Sequence, residues 1–545
     1  MNINIAHTLS QNSALLTNTA AIIEVAGGRT VSFEQLQEKT DAYAHILSRG
    51  GVKAKEKVML MVKPSADFIC LTFALFKIGA PVILIDPGMG YKNLLRCIEG
   101  VQPVSFIGIP KAYLFKTLFR KPFASIKHSF CCGNSLGLFG GNIEKECNFT
   151  FPEYPAYHPQ KDDLAAIIFT TGSTGPPKGV RYDHSIFHAQ LRLIRDYYGI
   201  GTGQIDQPAF PLFALFSIAL GATAVIPDMD TTRPAKIDPE TYISSIQKYG
   251  VSYSFASPAL WKVLAGYCSP RDARLGSLHK ILMAGAPVSG ELIAAMQSIL
   301  PENAKIHTPY GATESLPLVS IEGTEITNET WELTRTGKGV CVGRPLPGIE
   351  VSVLPVRESP IAQFDAALRV EPFAIGEIIV KGDVVTKSYE NNPEENRLAK
   401  IQDGDTFWHR MGDVGYLDDS GRLWFCGRKA HRVKDSAARK TYYPIPCEAI
   451  LNEHKQIARS ALVGVYSTRK MSTVPVMIIE PVQNCPLTHS LLIQQAKVLG
   501  GASELTADIK LYLVHLDFPV DIRHNAKIFR EKLAVWAKAE LEGLL

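Results

Sequence analysis

Short apolar runs bounded by turn residues recur along most of the chain, each followed by a longer stretch of mixed polarity. Val58-Met59-Leu60-Met61-Val62 is one such run, 80–85 is a second, closed by Asp86-Pro87-Gly88, and Leu164-Ala165-Ala166-Ile167-Ile168-Phe169 is a third. Runs this short, without polar alternation, read as strands buried on both faces. Strands alternating with helices predict an α/β fold: a large N-terminal domain, 1–428, of parallel sheets covered by helices. Beyond it the pattern changes. Strands over 461–465 and 474–479 and a closing amphipathic helix over 528–544 predict a smaller α+β C-terminal domain, 429–545. The stretch 208–227 holds twenty residues without a charge, which is long enough to imitate a membrane span. It contains Pro208, Pro211 and Pro227 and is flanked by Asp206 and Asp228, so a buried strand–helix–strand core is expected instead.

Composition narrows the classes. With 545 residues, 46% hydrophobic and 20% charged, the chain is that of a globular protein with a large core. A net charge of +4 is too small to argue for nucleic acid. Ten cysteines show neither a Cys-x-x-Cys pair nor zinc spacing, which predicts reduced, mostly buried thiols and a cytoplasmic protein. Residues 1–10 lack the basic region and apolar core of a secretory signal. One segment is locally basic. From Lys111 to Phe130 there are five Lys or Arg, four Phe, Tyr113 and no acid, a surface helix broken at Pro122 that offers a contact for a membrane or a pathway protein. Oligomeric state is not readable.

The chemistry concentrates after the third run, in Thr170-Thr171-Gly172-Ser173-Thr174-Gly175-Pro176-Pro177-Lys178-Gly179. Glycines let backbone N–H groups approach an anion closely, the hydroxyls add donors, and Lys178 adds a positive charge for a polyphosphate. The loop predicts a nucleoside triphosphate site. It is not a Walker A motif, whose Gly-x-x-x-x-Gly-Lys-Ser/Thr cannot be laid on it, and no Rossmann glycine fingerprint follows a strand elsewhere. Gly133-Asn134-Ser135-Leu136-Gly137 satisfies the hydrolase elbow pattern but follows Cys131-Cys132 without a strand–turn–helix context. His184 and His188 stand at a metal-ligand spacing on a helix, with no third ligand, and read as structural. Cys341 reads as packing.

These residues resemble the phosphate loop of the adenylate-forming superfamily: acyl-CoA ligases, peptide-synthetase adenylation domains, luciferases and their relatives. Further motifs stand in that family's order: Tyr310-Gly311-Ala312-Thr313-Glu314, Trp408-His409-Arg410-Met411-Gly412-Asp413, Gly427-Arg428 and Asn525-Ala526-Lys527. The resemblance implies ATP and Mg²⁺ as cofactors and a mobile C-terminal domain. Residues 170–179 would hold the β- and γ-phosphates, Glu314 would bind Mg²⁺, and Thr313 would hydrogen-bond the α-phosphate. Tyr310 would stack on adenine beside Gly285-Ala286-Pro287. Asp413, assisted by Arg428, would accept the ribose hydroxyls, and Lys527 would neutralise charge between the substrate carboxylate and the α-phosphate.

Departures from the family pattern indicate the substrate. Amino-acid-activating relatives place an Asp near Pro211 for the ammonium, whereas 210–216 reads Phe-Pro-Leu-Phe-Ala-Leu-Phe, so an apolar acyl chain is expected. Many CoA ligases have His where this chain has Ala214, and thioester-forming members have a glycine-bearing hairpin after the hinge. Here 429–446 has no glycine and carries His431, Arg432, Lys434, Arg439 and Lys440. The pattern is most similar to the olefin β-lactone synthetases of bacterial long-chain hydrocarbon pathways, through 75–81, 335–345, 408–433 and 523–533. That resemblance implies adenylation of a long-chain β-hydroxy acid followed by closure to a β-lactone. A fatty-acid–CoA or fatty-acyl-AMP ligase, and a catalytically silent nucleotide-binding partner, remain the alternatives, although intact Lys178, Glu314, Asp413 and Lys527 speak against silence.

Overall fold

The computed structural model describes residues 2–134, 142–147, 150–170, 176–210, 212–469, 471–521 and 528–542, the side chain of Pro87 excepted. Two helix-covered sheets make up most of the chain. In the six-stranded sheet, the strands His128–Cys131, Ser105–Gly108, Val58–Met61, Val82–Leu84 and Leu164–Thr170 run parallel in that order, and Lys178–Asp183 closes the edge antiparallel. The apolar runs therefore lie where burial on both faces requires them. Val58, Val82, Ile83, Ala166 and Ile167 are fully buried.

The second sheet has fourteen strands. Its parallel part, built from Ala20–Glu24, Thr223–Ile226, Ile205–Asp206, Tyr253–Ala256, Lys280–Met283 and Lys305–Ala312, continues into antiparallel strands from Ser315 onward. The uncharged stretch is buried as expected, but as the helix Phe213–Ala219 and the strand Thr223–Ile226 only; the strand before the helix, Ile205–Asp206, ends ahead of the stretch. Among the described residues no helix is long and apolar enough to cross a membrane. Eight of the ten cysteines are buried.

The basic segment forms a helix, Pro110–Leu118, that ends before Pro122. Leu114 and Leu118 on it are 55% and 69% exposed, while Phe123 is buried. Beyond Arg428, a two-stranded hairpin, Val433–Asp435 with Lys440–Tyr442, precedes a three-stranded sheet of Ile457–Ser467, Ser472–Pro481 and Leu511–Val514. Two apolar clusters there draw all their buried members from 433–541. The closing helix is Arg530–Glu540, shorter than its apolar periodicity extends, because Ile528 is spent on a bridge to Val520.

Candidate active site

The strand Leu164–Thr170 ends at the carboxyl edge of the parallel sheet, and Lys178–Asp183 runs back beside it with Lys178 opposite Thr170. Thr171, Gly172, Ser173, Thr174 and Gly175 lie outside the described residues, as do Ser135, Gly137 and Lys527. Lys178 Nζ sits 2.6 Å from Glu395 Oε2 and 5.4 Å from the centre of the Tyr389 ring. The Tyr389 hydroxyl in turn donates to Glu314 Oε1 at 2.9 Å. The side chains of Lys178 and Glu395 are 26% and 32% exposed. A pair so open to water contributes at most about 1 kcal/mol, so a triphosphate can draw Lys178 away from Glu395.

Thr313 and Glu314 occupy the tight turn between the strands Lys305–Ala312 and Ser315–Glu322. The Tyr182 hydroxyl pins that turn by donating to the Thr313 carbonyl at 2.5 Å. At the other end of the site Tyr310 donates to Asp413 Oδ2 at 2.6 Å, and Arg428 reaches Asp413 Oδ1 at 2.9 Å. Asp413 and Arg428 face each other across neighbouring antiparallel strands, so the ladder itself sets their spacing. Burial pushes the Asp413 carboxyl up, opposed by Arg428 and by the Tyr310 hydrogen bond. Burial and the Asp413 charge hold the Tyr310 phenol well above its usual range, which keeps it a donor. Gly285, with Ala286 and Pro287 after it, follows the strand Lys280–Met283 and has φ +100°, a conformation that favours glycine.

Arg410 is structural. It makes a bidentate pair with Glu377 at 3.1 and 2.6 Å, both side chains almost fully buried, and donates to the carbonyls of Ser359 and Leu398 at 3.0 Å. That clamp fixes the strand that presents Asp413. His184 packs against the rings of Phe76 and Tyr157, and burial holds it down to about 4, so its surroundings are those of a core residue. Burial raises the Cys341 thiol to about 12, which leaves it protonated and a poor nucleophile.

Two cavities, of about 1820 and 1900 Å³, flank this constellation. Gly285, Pro309, Tyr310, Gly311 and Arg428 line both, so the two volumes meet at Tyr310-Gly311. The first is walled by Ala286, Pro287 and Asp413, and on its far side by Glu448 and Ile528 of the C-terminal part. The second holds Thr170, Lys178, Thr313 and Glu314 at one end. It extends along Phe213, Phe216 and Phe255, where the rings of Phe213 and Phe255 stack at 3.9 Å. Two volumes that share one wall bring whatever occupies them into contact at Tyr310-Gly311.

Several lining groups escaped the sequence reading. Tyr389 and Glu395 connect to Glu314 and Lys178 across 75 and 217 residues, and no local spacing announces contacts that distant. His409 is buried, lines the acyl cavity and leaves Nδ1 without a partner. Opposite it on the next strand, Lys400 has its amine lowered to about 7 by burial, against the pull of Glu314. Asp206, 1% exposed, also lines this cavity. Its signal was present: a carboxylate two residues before a twenty-residue uncharged run.

Among the described residues no cluster of three or more His, Cys, Asp or Glu could hold a metal by itself. A single carboxylate, Glu314, does fit Mg²⁺, which takes one or two protein carboxylates together with substrate phosphates.

The profile of the family described as AMP-binding enzyme matches residues 10–390. The olefin β-lactone synthetase of Stenotrophomonas maltophilia (strain K279a) is 42% identical over 522 residues, 94% of this chain and 92% of that protein. The olefin β-lactone synthetase of Xanthomonas campestris pv. campestris is 40% identical over 519 residues, 93% and 91% of the two chains. In fold, the chain superposes on the amide bond synthetase McbA of Marinactinospora thermotolerans with a TM-score of 0.80, at 20% identity over 98% and 99% of the two chains. ATP-bound MatB of Rhodopseudomonas palustris gives 0.79 at 19% identity, over 99% of both. The chain belongs to the AMP-binding enzyme family and is an ATP-dependent, adenylate-forming enzyme.

Proposed function

We propose that the enzyme activates a long-chain β-hydroxy acid as its adenylate and closes it to a β-lactone without a second substrate. The identity of 42% to an olefin β-lactone synthetase over 94% of the chain carries this reading. Four basic residues after Arg428 are paired with carboxylates. His431 meets Glu531 at 3.0 Å, Arg432 and Lys434 meet Glu358, and Lys440 meets Asp508 at 2.7 Å. The hairpin forms without glycine because Arg439 takes the left-handed position, φ +53°.

In this reading the substrate carboxylate oxygen attacks the α-phosphorus, the acyl–phosphate bond forms and pyrophosphate leaves. The β-hydroxyl oxygen then attacks the acyl carbonyl, its proton is released, and AMP departs as the ring closes. Acid and ATP thus give lactone, AMP and pyrophosphate. Lys178 and residues 170–175 hold the outer phosphates, Asp413 and Arg428 hold the ribose, and Tyr310 and Gly285-Ala286-Pro287 enclose adenine. Thr313 donates to the α-phosphate. Glu314 would hold Mg²⁺, which supplies charge neutralisation between the phosphates. Residues 429–545 act as the lid that brings Lys527 to the reacting anions. An internal nucleophile already in place gives a high effective molarity, which helps to close a strained ring.

The expected result without CoA is repeated release of AMP from a β-hydroxy acid. Its deoxy analogue should stall near one adenylate per enzyme. Equal stalling of both acids, relieved only by CoA, would make the enzyme a thioester-forming ligase.

A further inference from the structure

Lys178 already has an anion beside it, and that anion belongs to the protein. Its Nζ lies 2.6 Å from Glu395 Oε2 and 5.4 Å from the centre of the Tyr389 ring. Backbone pairing sets this approach. The segment 388–390 runs antiparallel to the strand Lys178–Asp183, with Val180 bridging Tyr389. The Glu390 N–H donates to the Gly179 carbonyl at 2.7 Å, and the Arg181 N–H donates to the Ser388 carbonyl at 3.1 Å. Asn392 then caps the helix Pro393–Ala399 by accepting from the Glu395 N–H at 3.2 Å, which places Glu395 in the first turn.

Two acids of this segment are placed differently. The Glu390 side chain is 7% exposed and meets both Lys57 and Arg181, so it docks the segment. The Glu395 side chain is 32% exposed, and it lines the second cavity together with Lys178. An ion pair this open to water is weak and exchanges readily with another anion. A phosphate oxygen arriving at Lys178 must compete with the carboxylate for one ammonium, because two anions held close to each other repel. The competition runs both ways. When the outer phosphates leave as pyrophosphate, the carboxylate is in place to take the ammonium back. Without it, departure would leave an unpaired cation, and the site would hold its product more tightly.

We propose that Glu395 is a positioning residue that acts through Lys178, competing with the outer phosphates for its ammonium and so lowering the affinity for ATP and pyrophosphate alike. The proposal rests on the functional reading above, in which Lys178 holds those phosphates. AMP, which has no outer phosphate, is outside the competition.

The test titrates the full chain by calorimetry with ATP, pyrophosphate and AMP, in the presence of Mg²⁺ and without an acyl substrate. Glu395→Gln keeps the shape and an acceptor but not the charge. It should bind ATP and pyrophosphate about fivefold more tightly, the upper end for so open a pair, and AMP as the parent does. Glu395→Asp, whose charge stops one carbon short, should lie between. In a Lys178→Ala background, Glu395→Gln should leave ATP affinity where it is. Unchanged or weaker ATP binding in Glu395→Gln would overturn the proposal. So would an equal shift for AMP, which marks a general change of the site, or a gain that persists undiminished without Lys178, which marks repulsion acting directly on the phosphates. Lys178→Ala alone tests the reading underneath. If it weakens ATP no more than AMP, that reading falls and the proposal with it. If it weakens ATP selectively while Glu395→Gln changes nothing, the proposal alone falls.

Discussion

Lys527→Ala is expected to bind ATP much as the parent enzyme does and to release pyrophosphate about 10²–10³-fold more slowly, the usual loss when one preorganised group facing transition-state charge is removed. The reaction brings a carboxylate against a polyphosphate, and a cation between the reacting oxygens matters most when charge is being redistributed. In the proposed function Lys527 would therefore contribute to kcat rather than to ATP affinity. Asp521 and Ile528, the described residues on either side of the 522–527 segment, line the second and the first cavity respectively. Calorimetric titration with ATP and single-turnover pyrophosphate release check the two halves of the expectation. Release at the parent rate would remove Lys527 from the chemistry.

Asp413→Asn should show the opposite split. The side chain is 3% exposed, accepts from Tyr310 at 2.6 Å and meets Arg428 at 2.9 Å. The amide keeps the shape but loses the charge and one acceptor, and with them the paired acceptance of two ribose hydroxyls that the proposed function assigns to Asp413. Hydrogen bonds to a charged group contribute about 1.5–3 kcal/mol, so KM for ATP should rise about 10–100-fold while kcat changes little. Steady-state kinetics in ATP at saturating acid would show it. A fall in kcat with an unchanged KM would place Asp413 in the chemical step instead.

Much of this site could be read before any coordinates. Thr170, Lys178, Tyr310, Thr313, Glu314, Asp413 and Arg428 were named from local motifs, and the fold brings the described members to the edges of two adjoining cavities. Local motifs carry no information on what arrives from far along the chain. Tyr389 and Glu395 reach Glu314 and Lys178 only through tertiary packing, and Lys400 with His409 gain their shifted proton affinities only through burial. The parallel strands were legible because apolar runs cannot be exposed. The antiparallel half of the large sheet was not, since hairpins such as Lys305–Ala312 with Ser315–Glu322 leave no mark in hydrophobic period that distinguishes them from buried parallel strands. In the hinge, the missing glycine was visible, but a non-glycine residue at φ +53° taking its place was not.

The central claim is that the acyl-adenylate ends as a lactone through its own hydroxyl. The most direct measurement supplies the enzyme with ATP, Mg²⁺ and a long-chain β-hydroxy acid, with and without CoA, and identifies the acyl product by mass. The account predicts the acid less one water, formed together with AMP at the same rate whether or not CoA is present. A thioester that forms only when CoA is added, with no dehydrated product in its absence, would contradict it.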